Sequence, residues 1–316
     1  MKVLFISCFI SHLLLFGCAI EEASPTENQQ LVIASDYLKL ADTVLFQEFT
    51  KNSGIRIIIK PLTPDKINSH LEMNKANAKF DIVMLARLSS VLIFENTRLH
   101  NLSESYLSKY ASNLKVFNNR QWLVSGLDPY FFSFERDSVS LPVNYEQLAE
   151  GYVWASPDRE SWDLFDTYFS YYLSGLDEQR QKQLKTQFNI NQVNYLQPND
   201  SVRNRQFLIL KNSTFFASEV LNKNSKRELW KSTNDSLYGV YADRRCMAIV
   251  DEAKNMKNAS EFLSYWDEHY HRDNFSPGKG DYPYPNNEGI SKGVRFYMVS
   301  EDKLLDILKK QKNKAN

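Results

Sequence analysis

The residues able to do chemistry are scattered along the chain, and their spacing excludes more than it supports. His269 and His271 stand beside Asp267, Glu268 and Asp273, a set of types that could ligate a metal. Two positions apart on a helix they point to different faces, so a shared ion is not expected. His70 and His100 have no partner nearby in sequence. No G-x-G-x-x-G, G-x-x-x-x-G-K-[ST] or G-x-S-x-G occurs. This argues against a dinucleotide site, a P-loop and the nucleophile elbow of α/β-hydrolases. Gly278 and Gly280 come nearest, without a strand before them or a helix after. Cys246, between Arg245 and Met247, reads as a small buried apolar residue and not as a reactive thiol. No catalytic residue, resident metal or cofactor is expected; a metal-dependent enzyme centred on His269 and His271 is the rival that metal analysis would remove.

A second group of polar residues lies where predicted strands end. Ser35, Asp36 and Tyr37 follow one apolar run directly, and Arg87, Ser89 and Ser90 follow another. Ser156, Asp158 and Ser161 mark a helix start, and Asn199, Asp200, Ser213 and Thr214 fall in loops. Strand ends and helix N-termini are where α/β folds hold small ligands. Arg87 has the fork that grips a carboxylate bidentately. Asp158 and Glu160 already put negative charge at their helix start. That disfavours an anion there and favours an amino or guanidino group. Each of these residues has an equally good use as a cap or a solvated side chain.

The elements that must position them alternate. Leu31 to Ala34 is a short β-branched run suited to a buried strand. Leu38, Ala41, Leu45 and Phe49 recur at helical spacing, and the helix stops at Asn52-Ser53-Gly54. Residues 55–59 form a second strand, Thr63 and Pro64 start a helix, and residues 80–85 form a third strand. Strands separated by such helices build a parallel sheet. Beyond residue 120 two strand-like runs, broken at Asp128-Pro129, read as a crossing between lobes. A second set follows: residues 152–155, a helix from Ser156-Pro157-Asp158, and residues 207–210. That helix carries Leu164, Phe165, Tyr168, Phe169 and Tyr172, a stripe read as core ahead of a cofactor box. Residues 238–241 read as the return crossing, followed by the strand 247–250, a helix with Ala259, Phe262, Leu263 and Trp266, and a last helix over 301–310. The expected fold class is α/β, with two lobes, a central cleft and hinge strands.

The N-terminus reads as an address. Met1-Lys2 precedes an almost wholly apolar stretch, residues 3–16, the pattern of a secretory signal peptide. Leu15-Phe16-Gly17-Cys18 resembles a bacterial lipobox, with Phe16 in place of the usual small residue; Cys18 is expected to be lipidated. The boundaries that follow are 1–17 signal, 18–30 lipidated tether, 31–126 with 241–285 as one lobe, and 127–240 with 286–316 as the other. Cys8 would leave with the signal, so no internal disulfide is expected. No second apolar stretch reaches the roughly 18 residues of a membrane span. Among 316 residues, 38 Lys and Arg balance 38 Asp and Glu, which argues against a dedicated nucleic-acid partner.

These phrases, in order, resemble the type 2 periplasmic solute-binding proteins of ABC transporters, in particular the ferric-iron-binding branch. "LVIASDYLKLADTVLFQEFTKNSGIRIII" (31–59) carries the opening strand, first helix and second strand, and "FDIV" (80–83) the third. "YFFSFERDSVSLPVNYEQLAEG" (130–151) is similar to the family's crossover, "KNMKNASEFLSYW" (254–266) to a lobe-one helix, and "GKGDYPYPNNEGI" (278–290) to a late loop. The resemblance implies a monomer in the periplasm or at the cell surface. It would be anchored in the lipid bilayer, capture a small-molecule solute and pass it to an ABC permease. One departure matters. Where ferric-binding members carry two adjacent tyrosines, the matching "KNSTFFASEVL" (211–221) has Phe215 and Phe216. A phenyl ring has no lone pair for Fe³⁺, so iron coordination of the family type is not expected. The two rings either pack inside the lobe or wall an organic ligand. A sensory or envelope lipoprotein with a degenerate site is the alternative.

Overall fold

The computed structural model describes residues 29–73, 79–94, 97–108, 120–134, 144–155, 169–170, 172–191, 207–212, 226–229, 231–234, 237–269, 290–291 and 294–297, with single positions 302 and 306. In the first half, β1 (Gln30–Ser35) lies parallel to β2 (Arg56–Pro61) on one side and to β3 (Ile82–Leu85) on the other. A 3₁₀ segment (Leu40–Phe46) and the helix Gln47–Ser53 connect β1 to β2. The helix ends at Gly54, whose φ of 72° is the left-handed cap conformation that glycine adopts without strain. The helix Pro64–Met73 begins at the expected proline and leads toward β3.

Two 13-residue strands tie this half to the rest, β4 (Trp122–Phe134) and β9 (Leu237–Ile249). β9 pairs antiparallel with β3 and with β4. The helix Met256–His269 lays Phe262 and Trp266 on the sheet, where both rings meet Phe46. Trp266 is buried and its Nε1–H donates to the Ser125 carbonyl at 3.1 Å. The 3.6-residue spacing of Ala259, Phe262, Leu263 and Trp266 makes this face, and all four are buried as expected.

Beyond the crossing, β4 pairs with β6 (Phe207–Asn212) and β7 (Lys226–Leu229), and β5 (Val153–Ala155) runs parallel to β6. β9 pairs with β8 (Lys231–Asn234) and β11 (Val294–Tyr297), which pairs with β10 (Ile290–Ser291). The helices Tyr145–Gly151 and Glu178–Asn191 form a small aromatic core: Phe169 lies 5.4 Å from Tyr145 and 4.2 Å from Phe188, between ring centroids. The stripe residues Phe169 and Tyr172 thus belong to packing; Leu164, Phe165 and Tyr168 lie outside the described residues.

Two expectations need correction. β4 is one strand and is not broken at Asp128-Pro129: Asp128 pairs with Asp243 and Pro129 with Ala242. Proline cannot donate to a ladder, and Pro129 stands at the last β9 pair, where β4 gives up that neighbour. The irregularity comes earlier, between Val124 and Gly126. Likewise the strand expected over 247–250 begins at Leu237, so residues 238–241, read as the return crossing, lie within β9 and pair with β8 and β11. Of the expected last helix, only positions 302 and 306 are described, both helical.

Candidate functional site

The loop after β1 is built by its own side chains. Ser35 is fully buried, and its Oγ accepts the N–H groups of Tyr37 (3.2 Å) and Leu38 (3.0 Å), turning the chain sharply. Asp36 Oδ1 accepts the N–H of Ala86 at 2.7 Å. That bond joins the loops after β1 and β3 and sets Arg87 beside Asp36 and Tyr37, at the C-terminal ends of the parallel strands. All three are half-buried. Ser89 and Ser90, also half-buried, open the 3₁₀ segment Leu88–Phe94.

Against these loops lies a set of charged residues that the sequence reading passed over. On β9, Asp243 and Arg245 are two apart and share a face. Asp128 of β4 is the direct cross-strand partner of Asp243. Arg245 Nη2 is 3.5 Å from Asp128 Oδ1, and its guanidinium carbon is 4.8 Å from the centre of the Tyr37 ring. The shared face is therefore turned toward the β1 loop. Exposure is 1% for Asp128, 3% for Asp243, 5% for Arg244 and 2% for Arg245. The available signal was the charged triplet Asp243-Arg244-Arg245 leading straight into the apolar run 246–250. Charge inside a strand pattern marks a buried ionic group.

Asp243 is the anomalous member. Its Oδ1 accepts the N–H of Arg244 at 2.6 Å, while Oδ2 is buried with no hydrogen-bond partner among the described residues. Burial pushes its carboxyl up to about 7, helped by the negative charge of Asp128 and opposed by the Arg244 N–H and the charges of Arg244 and Arg87. Asp81, at the other end of β3, shows the contrast. Its Oδ1 accepts Asn255 N–H at 3.0 Å; its Oδ2 accepts Val32 N–H at 2.8 Å and Asn255 Nδ2 at 3.2 Å. That residue is a structural clamp.

The metal reading gains nothing. His269 Nδ1 lies 2.9 Å from the Tyr265 carbonyl and its ring stacks on Tyr265, while His271 is outside the described residues. Among the described residues no group of three or more His, Cys, Asp or Glu could hold a metal ion. Cys246 is fully buried, with Leu85 and Val124 as its strand partners. Cys18, Ser156, Asp158, Asn199, Ser213, Thr214, Phe215 and Phe216 lie outside the described residues. No described helix is long and apolar enough to cross a membrane.

No family model matches the chain, and no curated protein does. Solved structures do. An iron- and citrate-bound IdiA (FutA) protein of Trichodesmium aligns with a TM-score of 0.65 at 16% identity, covering 90% of this chain and 98% of that one. Iron-bound HitA from Pseudomonas aeruginosa gives 0.63 at 12%, with 90% and 98% covered. The ferric binding protein from Campylobacter jejuni gives 0.62 at 14%, with 90% and 97% covered. The chain has the α/β fold of periplasmic binding proteins, as expected.

Proposed function

We propose that this chain is an extracytoplasmic solute-binding protein. It is held at the envelope by a lipid on Cys18 and takes up a small solute between two lobes for delivery to an ABC permease. The lobes divide near residue 126, within the stretch of β4 paired to β9, and near residue 241, just before that stretch on β9. Capture is a shift from an open to a closed arrangement about these strands, and no bond-making chemistry is asked of the protein. The observation that carries this reading is the placement of the loops after β1 and β3, joined through Asp36, against the buried charges of the β4–β9 pair: Tyr37 lies on Arg245 and Arg87 is close enough to Asp243 to act on its charge.

The iron named for the Trichodesmium and Pseudomonas proteins is not proposed as the solute here. Phe215 and Phe216 occupy the positions matched to the tyrosine pair and offer no oxygen to a ferric ion. The same replacement favours, as second reading, a sensory or envelope lipoprotein whose site no longer serves transport.

The test is thermal unfolding of the full-length protein in detergent, against amino acids, polyamines, sugars, citrate and ferric citrate. A solute that binds only the native state raises the midpoint saturably, by about 2.7 kcal/mol of stability at a hundredfold excess over Kd. A flat response to the whole panel would overturn the reading. Lipidation is tested separately: labelled palmitate should enter the native chain and not the Cys18→Ser variant.

A further inference from the structure

The ionic face of the β4–β9 pair leaves a buried carboxylate oxygen without a donor among the described residues, and its sign names a ligand class. Three acids, Asp36, Asp128 and Asp243, stand near Arg87 and Arg245, while Arg244, between Asp243 and Arg245 on β9, belongs to the opposite face of the strand. Arg245 is engaged by Asp128 and by the Tyr37 ring. Arg87 and Arg244 are close enough to Asp243 to act on its charge. Asp36 is used by the Ala86 N–H. Two buried atoms of this group have no hydrogen-bond partner among the described residues: Nε of Arg245, whose charge Asp128 already meets, and the acceptor Asp243 Oδ2, on a residue 3% exposed. A buried carboxylate oxygen without a donor is costly. Burial therefore pushes the carboxyl up to about 7, and a bound proton offsets the cost below that pH.

From this geometry we infer that Asp243 is a recognition residue for a cationic nitrogen, an ammonium or amidinium group of the solute, which replaces the proton on the carboxyl. This rests on the solute-binding reading and deepens it. The exchange balances. One proton leaves Asp243, one N⁺–H donor arrives at Oδ2, and the buried face keeps the same net charge. A ligand that brings a carboxylate instead would keep the proton on Asp243 and leave Oδ2 to donate. The two cases differ in the sign of their pH dependence. Among the described residues, the charged groups that act on Asp243 are Asp128 from β4, Arg244 from β9 and Arg87 from the loop after β3; Arg245 is two positions on along β9, with Tyr37 from the loop after β1 against it, and Asp36 of the same loop is bonded to the Ala86 N–H.

The experiment is calorimetric titration of the full-length protein in detergent. Putrescine and agmatine are the cationic probes, citrate the anionic one and glucose the neutral one. Cationic probes should bind about tenfold more tightly at pH 8 than at pH 6, because the carboxyl must lose its proton. At pH 7, runs in two buffers of different ionisation enthalpy should show about half a proton released per probe bound. Asp243→Asn should weaken the cationic probes by about thirtyfold or more at pH 8 and flatten their pH dependence. The proton-release measurement needs no variant, so the inference stays testable if Asp243→Asn fails to fold. Binding of citrate or glucose without the cationic probes would overturn the inference and leave solute binding standing. So would cationic binding that is indifferent to pH and releases no proton. If none of the four probes binds and the wider solute panel is also flat, the solute-binding reading itself falls.

Discussion

Two stretches of one strand pair carry opposite chemistry at equal burial. At one end Trp122 faces Ala248, Leu123 faces Met247 and Val124 faces Cys246. Two residues further along β4, Gly126 faces Arg245, Leu127 faces Arg244 and Asp128 faces Asp243. Neither stretch is open to water. The first does what a sheet under a helix should do and removes apolar surface from solvent. The second buries four charges and sets two carboxylates directly opposite each other, an unfavourable cross-strand pair. Buried ion clusters are poor devices for stability; apolar residues of similar volume often serve as well or better. The apolar stretch holds the fold together, and the ionic stretch is the part of the pair to which we assign recognition.

The comparison breaks most visibly on the apolar side. Trp266→Ala removes a buried ring packed on Phe46 and Phe262. It should cost about 3–5 kcal/mol in denaturant unfolding. Asp81→Ala should cost somewhat less, about 2–3 kcal/mol, because it strands the donors of Val32 and Asn255. Asp243→Asn should behave in the opposite way. Its carboxyl is raised from 3.8 to about 7, so the folded state holds a proton that the unfolded chain releases. That contribution is complete below pH 4 and disappears as pH rises through about 7. Wild-type stability should fall across this window, and Asp243→Asn should lack the fall and be no less stable than wild type at pH 8. The smallest effect is expected at Arg180, which pairs with Glu146 and Glu150 on the surface of the second half. Arg180→Met should move Tm by no more than about 1 °C.

Legibility followed the apolar pattern. β1, β2, β3 and the helix Met256–His269 were readable because their apolar periods are unbroken and Gly54 ends the first helix cleanly. The helix Glu178–Asn191 was not, because Leu184 and Phe188 are its only fully buried positions. β7 and β8, KREL and KSTN, have no apolar alternation to read. Asp128-Pro129 looks like a break, since charge and proline ordinarily end strands; only its pairing with residues 242–243, far along the chain, makes it continuous. For the site, the loop positions Ser35 to Tyr37 and Arg87 followed from strand ends. The inward use of the Ser35 hydroxyl did not, nor did the facing of Asp128 and Asp243, because register between distant strands leaves no local trace.

The most direct test of the ionic stretch as the recognition surface is the solute-induced rise in Tm of Asp243→Asn measured beside that of Arg180→Met at pH 8. With a cationic solute that stabilises the wild type, the rise should shrink to about a third or less in Asp243→Asn at a hundredfold excess over the wild-type Kd and persist undiminished in Arg180→Met. A full rise in both variants would contradict the account.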